Sequence, residues 1–454
     1  MYEYRSAIET TENYDVIVCG AGTAGIAAAI AASRNGAKTV LVEKNGIPGG
    51  TATAGYVSPF MTSYSLDGKT EIIKGIFKEV VDRLVEVNGA VNPSQTGPDS
   101  IYSTDYLLGH THNTPFDADK FALLSMEMIN EAGVKLLLHS YIVDVIKEGK
   151  KVKGIIIDTP LEKRVLFAPV IIDCTGDGVV ALRAGAEYRF GRESDGLTQP
   201  MSVYFAIENV DDNAVSEYKK AHPDKKGFLY NDIIEKVRLE TGYELPRDRL
   251  NLYKMLNPGE WKVCVSRVLR KNGLVSEDLT DAEFQGRRQV YEIYDFMKTY
   301  VPGFENIRIK AIAPEIGKRE TVHIKGEYTV KLEDLTKPEH FYDTIALGAY
   351  PVDIHSPSDR HGGPVADKKT TADVYELPYR MLIPKGVEGL LIAGRIASAT
   401  HEANAAIRVM STCFALGQAA GTAAALSVKS NVEPGNVDIE ELRRQLISDN
   451  AVLR

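Results

Sequence analysis

Cysteine is scarce. Four stand at positions 19, 174, 264 and 413 of 454 residues, with no CxxC pair and no spacing suited to a metal. That excludes a redox-active dithiol and a cysteine-held iron–sulfur cluster. In a chain of this length it also indicates a reducing compartment without a disulfide framework. Cys19 and Cys174 end apolar runs and read as small buried side chains. Tryptophan occurs once, at Trp261. No uncharged apolar run nears the ~20 residues of a membrane span; the longest lies around residues 21–32. The opening stretch MYEYRSAIETTENYD is polar and charged, without a secretory pattern. An excess of positive charge is missing as well, since 53 Lys and Arg face 62 Asp and Glu for a net charge of −9. A scattered acidic balance argues against nucleic acid or an anionic membrane as the main partner. Repeats and low-complexity segments are absent. From these absences the expectation is a soluble, cytoplasmic chain of two or three domains.

What is present begins at residue 16. The apolar run Val16-Ile17-Val18-Cys19 stops at Gly20-Ala21-Gly22-Thr23-Ala24-Gly25, and an alanine-rich helical pattern starts at once. In a GxGxxG turn between strand and helix, the first glycine permits the tight turn. The second lets backbone approach a pyrophosphate, and the third lets helix and strand pack closely. The helix start then offers free N–H groups to the anion. A second apolar run ends at Glu43, 18 residues past Gly25, where such a unit places an acid for a ribose hydroxyl pair. Gly49-Gly50-Thr51 follows, a stretch of exposed backbone N–H groups suited to a close approach.

Further on, helical patterns are expected at residues 72–89 and 117–133, and a hairpin around Glu148-Gly149-Lys150. VIIDCTGDG echoes the first motif, but no strand-ending acid follows Gly176-Asp177-Gly178 at the right distance, so it is not read as a second nicotinamide site. His110 and His112 in GHTHN lack partners for a metal and read as a polar loop. The expected fold class is α/β: a Rossmann-like parallel sheet with helices on its faces and an inserted α+β region. The dinucleotide-binding part is assigned to 14–60, 110–185 and 376–430. A substrate or cap region takes 61–109 and 186–375, and 431–454 forms a C-terminal helix.

The ordered set GAGTAG, Glu43, GGTATAG, DCTGDG, GKRET, YPVDIH and AGRIASATHEANAAIRVMSTCFALGQAAGTAA resembles the FAD-dependent oxidoreductases of the glutathione-reductase-like fold. Within these it is similar to a poorly characterised bacterial group, distantly akin to the fumarate reductase and aspartate oxidase flavoproteins. The resemblance implies one FAD per chain. Gly20, Gly22, Thr23 and Ala24 would hold its pyrophosphate and Glu43 the adenosine ribose, with Lys44 and the backbone near Ile142 and Val143 at the adenine end. Gly49, Gly50 and Thr51 would approach the ribityl chain and flavin, and Thr175, Gly176 and Asp177 would line the adenosine side. Gly394 and Arg395 would return to the pyrophosphate. Val409, Met410 and Thr412, opening the last helix, would face the flavin N1 and O2 edge, where charge develops on reduction.

Such a flavoprotein transfers a hydride between FAD and a small polar substrate, an acid or a sugar-like molecule, with an unknown second electron partner. His401, His355, Arg319 and Arg408 are the candidates for substrate contact and proton handling. Against this stands a structural reading in which the arginines pair with acids such as Glu402 or Glu315. Two alternatives remain beside the dehydrogenase: an electron relay serving a partner chain, and an NAD(P)H-dependent flavin monooxygenase.

Overall fold

The computed structural model describes residues 7–98, 100–102, 111–223, 229–338, 340–358 and 371–454. Its centre is a five-stranded sheet in the order Leu390–Ile392, Val170–Asp173, Val16–Cys19, Thr39–Val42, Lys135–Leu137. Every pair in it is parallel. The four strands other than the Lys135–Leu137 edge are buried at each position. Their unbroken apolar character follows from that, because a parallel sheet is covered on both faces. Val16, Val18, Leu41 and Ile172 point to the helices Thr23–Arg34 and Met410–Ser430. Ile17, Cys19, Val40 and Ile171 point the other way, onto a second sheet. That sheet orders Thr10–Asn13, Lys163–Phe167, Lys151–Asp158 and Tyr141–Glu148, and the last two strands form the hairpin turning at Gly149.

Glycine and alanine let the two long helices touch. A Cβ on Gly417 would stand 2.1 Å from the Ala24 carbonyl oxygen, and one on Gly421 would stand 2.1 Å from that of Ala28. Both helix backbones meet there at a distance that excludes any larger residue. The crossing brings the N-terminus of Met410–Ser430 beside the first glycine turn.

A separate antiparallel sheet runs Leu252–Lys254, Trp261–Val263, Phe205–Glu208, Arg308–Ile312. With the 25-residue helix Ser276–Tyr300 it encloses its own apolar cluster around Phe205, Trp261, Val263 and Phe304. The Trp261 indole donates to Asp212 at 2.8 Å. Parts of the stretches assigned to a cap from sequence pack elsewhere. Apolar residues between Ile72 and Leu84, with Val330, Leu335, Ile345, Leu347, Val352 and Val374, join the main cluster with the helix Met410–Ser430. The reason is tertiary: Thr344–Gly348 and Tyr375–Pro378 pair into a two-stranded ladder buried at every position, which no local pattern announces. Among the described residues no single helix is long and apolar enough to cross a membrane. The bent pair His401–Ile407 and Met410–Ser430 passes by length and composition together, yet nearly all of it is buried in the core.

Candidate functional site

A cleft of about 1620 Å³, open solvent at its mouth included, runs between the parallel sheet and the antiparallel one. One end is built by the first glycine turn. Gly20 sits at φ +91°, and a Cβ there would lie 2.8 Å from the Cys174 carbonyl oxygen; one on Gly25 would lie 1.8 Å from that of Gly20. Gly22 differs: a Cβ there would meet nothing within 4 Å. Its space belongs to the cleft.

Two helices begin at this cleft. Thr23–Arg34 has Gly22 as N-cap and Met410–Ser430 has Val409, neither with a side-chain cap or an acid in the first turn. Uncapped helix starts leave N–H donors and a partial positive charge directed at whatever occupies the space. By contrast the short helix Val179–Ala184 after DCTGDG is already occupied, since Asp173 accepts from the Val180 and Ala181 N–H groups at 2.9 Å each. The second glycine motif therefore offers no free donors of this kind.

Glu43 is buried on the cleft wall. Its carboxylate accepts from the Ala21 N–H at 2.7 Å and the Asn45 N–H at 2.9 Å. Burial raises its pKa, and those two bonds oppose the shift. Lys44 lies 3.5 Å from Glu315. Across the cleft Asp177 bonds Lys318 and receives Arg395 Nη2 at 2.8 Å, while Arg395 Nε donates to the Gly176 carbonyl at 2.9 Å. Burial opposes the Asp177 charge, but Arg395 and Lys318 outweigh it and hold its pKa below the usual range.

The far end is rich in guanidinium. Arg319 Nη1 donates to the Pro200 carbonyl and to Ser202 Oγ, both at 2.7 Å, and Nη2 to Cys264 Sγ at 3.4 Å. Arg408 Nη2 reaches the Gln199 side-chain oxygen at 3.4 Å and the Asp353 carbonyl at 3.3 Å. Burial and the neighbouring Arg319 lower the Arg408 pKa, although Asp353 opposes them. His355 lies 3.4 Å from Asp353 through Nε2, and its Nδ1 is buried without a partner. Burial pushes its pKa well below the ordinary value against the pull of Asp353, so the ring is neutral at physiological pH.

Of the residues singled out from sequence, Gly20, Gly22, Thr23, Ala24, Glu43, Lys44, Gly50, Thr51, Thr175, Gly176, Asp177, Gly394, Arg395, Val409 and Met410 line this one cleft, with Arg319, His355 and Arg408. Gly49, Val143, Thr412 and His401 do not. Gly49 donates its N–H to the Ala21 carbonyl at 2.7 Å and so supports the wall from behind. The Val143 carbonyl accepts from Arg183 at 2.9 Å on the outer hairpin. Thr412 is buried within the helix. His401 is buried too, its Nδ1 donating to Glu320 Oε1 at 2.7 Å, and the same oxygen accepts from His323 Nε2 at 2.6 Å. Burial disfavours the Glu320 charge, yet these two imidazoles hold its pKa down to about 2. His112 packs on the Tyr64 ring, with centroids 4.6 Å apart, and His110 lies outside the described residues.

Sequence reasoning passed over Arg247, Tyr204, Tyr253 and Asp353, all on the cleft wall. Asp353 was within a quoted motif. Arg247 stands in LPRDRL, which reads locally as a solvated charged loop.

A Rossmann-type glycine turn, a buried acid at the end of the next strand and two uncapped helix starts on one elongated cleft define a dinucleotide-binding protein. The family model for FAD dependent oxidoreductase matches residues 15–446, and the chain belongs to that family. It is an FAD-dependent oxidoreductase. The chain is 26% identical over 268 residues to the thiamine thiazole synthase of Aeropyrum pernix, covering 57% of this chain and 84% of that one. It is also 38% identical over 78 residues to the digeranylgeranylglycerophospholipid reductase of Methanococcus vannielii, 17% of this chain and 20% of that protein. Among solved structures, it aligns with a geranylgeranyl bacteriochlorophyll reductase-like protein of Thermoplasma acidophilum at TM-score 0.47 and 15% identity, covering 97% and 85% of the two chains.

Proposed function

We propose that this protein oxidises or reduces a small polar substrate, an acid or sugar-like molecule, by hydride exchange with FAD. The kinship to fumarate reductase and aspartate oxidase flavoproteins that the sequence suggests belongs to the same reading. One observation carries it: a single cleft joins a nucleotide end, with two uncapped helix starts, to a far end lined by Arg319, Arg408 and His355. The open space at Gly22 and the free helix N–H groups suit a pyrophosphate, so the residues fit the cofactor. In this reading Gly20, Gly22, Thr23 and Ala24 hold the pyrophosphate and Glu43 the ribose. Gly50, Thr51, Gly394 and Arg395 border the ribityl chain, and Val409 and Met410 the flavin edge. When bound, FAD supplies the two-electron acceptor or donor.

The chain's own work is orientation and proton handling. Asp353 keeps the Nε2 proton of His355 directed at itself, which leaves Nδ1 as the atom that takes or returns a proton. Arg319, fixed by Pro200, Ser202 and Cys264, sets one wall. His401, lying behind the wall on Glu320, acts as a positioning residue. The test is to purify the yellow protein and screen acids and sugars anaerobically for bleaching of its flavin absorbance. A small molecule that bleaches it, with His355→Ala slowing the bleaching without loss of FAD, supports the reading. Bleaching by a partner protein alone would replace it with an electron relay.

A further inference from the structure

Three guanidinium groups, those of Arg247, Arg319 and Arg408, line the far end of the cleft. Two carboxylates answer them: Asp353 on the same wall, and Glu320 behind it, whose charge acts on Arg408. Two of the guanidiniums also keep a nitrogen with no acceptor, since Arg247 Nε and Arg408 Nε are buried and unpaired. Arg247 is 4% exposed, and among the described residues its one hydrogen bond is a long one, Nη1 to the Cys264 carbonyl at 3.4 Å. A buried charged donor without an acceptor costs the desolvation of that group, so such atoms signal a missing partner.

Beside them His355 Nδ1 is buried without a partner, and the Asp353 carboxylate 3.4 Å from Nε2 favours the neutral tautomer with its proton there, which makes Nδ1 an acceptor. Gln199 ties the two sides, its side-chain oxygen accepting from the His355 backbone N–H at 3.3 Å and from Arg408 Nη2 at 3.4 Å. Unpaired cationic donors next to one unpaired neutral acceptor form a specific complement. A carboxylate satisfies the first and a hydroxyl the second.

We infer that the substrate is a small hydroxy acid, its carboxylate held by Arg247 and Arg408 and its hydroxyl donating to His355 Nδ1. This rests on the flavin oxidoreductase reading above and narrows its substrate from acid or sugar to acid. In the oxidative direction the hydroxyl O–H bond breaks and its proton goes to His355. The carbinol C–H bond breaks with its electron pair passing to oxidised FAD, and C=O forms. The hydroxy acid becomes a keto acid and FAD is reduced by two electrons. Arg247 is then a specificity-determining residue, since neutral sugars leave its charge unanswered.

The test uses the FAD-loaded protein under anaerobic conditions. Glycolate and lactate are compared with glycolamide and lactamide, with binding followed by calorimetry and the flavin by its absorbance. Both acids are expected to bind saturably, and the amides at least about tenfold more weakly. Arg247→Gln is expected to weaken the acids by roughly ten- to a hundredfold with FAD content unchanged, and Arg247→Lys to fall between. Equal binding of acids and amides overturns the inference, as does binding of neither acid, and those comparisons need no variant. An Arg247→Gln protein that sheds FAD assigns this residue to the cofactor and overturns the inference too. A colourless wild-type protein would instead overturn the cofactor reading beneath it.

Discussion

Gly22 separates folding from cofactor binding at a single residue. Its φ of −71° is open to any side chain, and a Cβ there touches no protein atom. Gly22→Val is therefore expected to fold with a thermal midpoint close to that of the wild-type apoprotein, yet to come out colourless. Circular dichroism and flavin absorbance on one sample check both halves. Gly25→Val serves as the contrast: its Cβ would strike the Gly20 carbonyl, and the variant should fail to fold.

Glu320 is the second residue-scale prediction. With its folded pKa at about 2, below the ordinary carboxylate value, the stability it contributes is present above about pH 4.5 and disappears as pH falls through about 2. Glu320→Gln should cost a few kcal/mol at pH 7 and flatten the acid limb between those values, measured by urea unfolding at a series of pH values. A variant whose acid limb matches the wild type would show that the two imidazoles do not depend on this carboxylate.

At the scale of elements, the crossing of Thr23–Arg34 on Met410–Ser430 positions both uncapped N-termini. Because Gly421 sits against the Ala28 backbone, Gly421→Ala should separate the helices and destabilise the protein by about 1–3 kcal/mol. FAD affinity should fall in the same variant, since the second helix start moves away from the cleft. Denaturant midpoints and equilibrium dialysis of FAD read the two effects separately. The first helix of this pair was legible in the sequence as the alanine-rich pattern that follows the glycine turn. Which helix it meets was not, because residues 24 and 417 lie almost four hundred positions apart in the chain and only the closed fold brings their backbones together.

For the whole molecule, the cleft lies between two apolar clusters, one around the parallel sheet and one around Trp261. A cofactor bound to the folded chain and not to the unfolded one stabilises it by mass action, by about 4 kcal/mol when free FAD stands at 1,000 times its Kd. The holoprotein is therefore expected to melt several degrees above the apoprotein, with the gap widening as FAD is added. Scanning calorimetry across an FAD series checks this, and a midpoint indifferent to FAD would contradict binding in the cleft.

By itself the sequence determined the local grammar: apolar runs long enough for buried parallel strands, glycines at the turn, an acid at the end of the next strand. These signals are local because φ freedom, periodicity and helix starts are properties of neighbouring residues. Tertiary structure alone decided that Arg247, from an unremarkable charged loop, stands with Arg319 and Arg408, and that His401 turns to Glu320 rather than to the cleft. It also packed Val330, Leu335, Ile345, Leu347, Val352 and Val374, from the stretch assigned to a cap, into the main core. Burial and the pairing of distant charges are set by which surfaces close on one another, and adjacent residues carry no record of that.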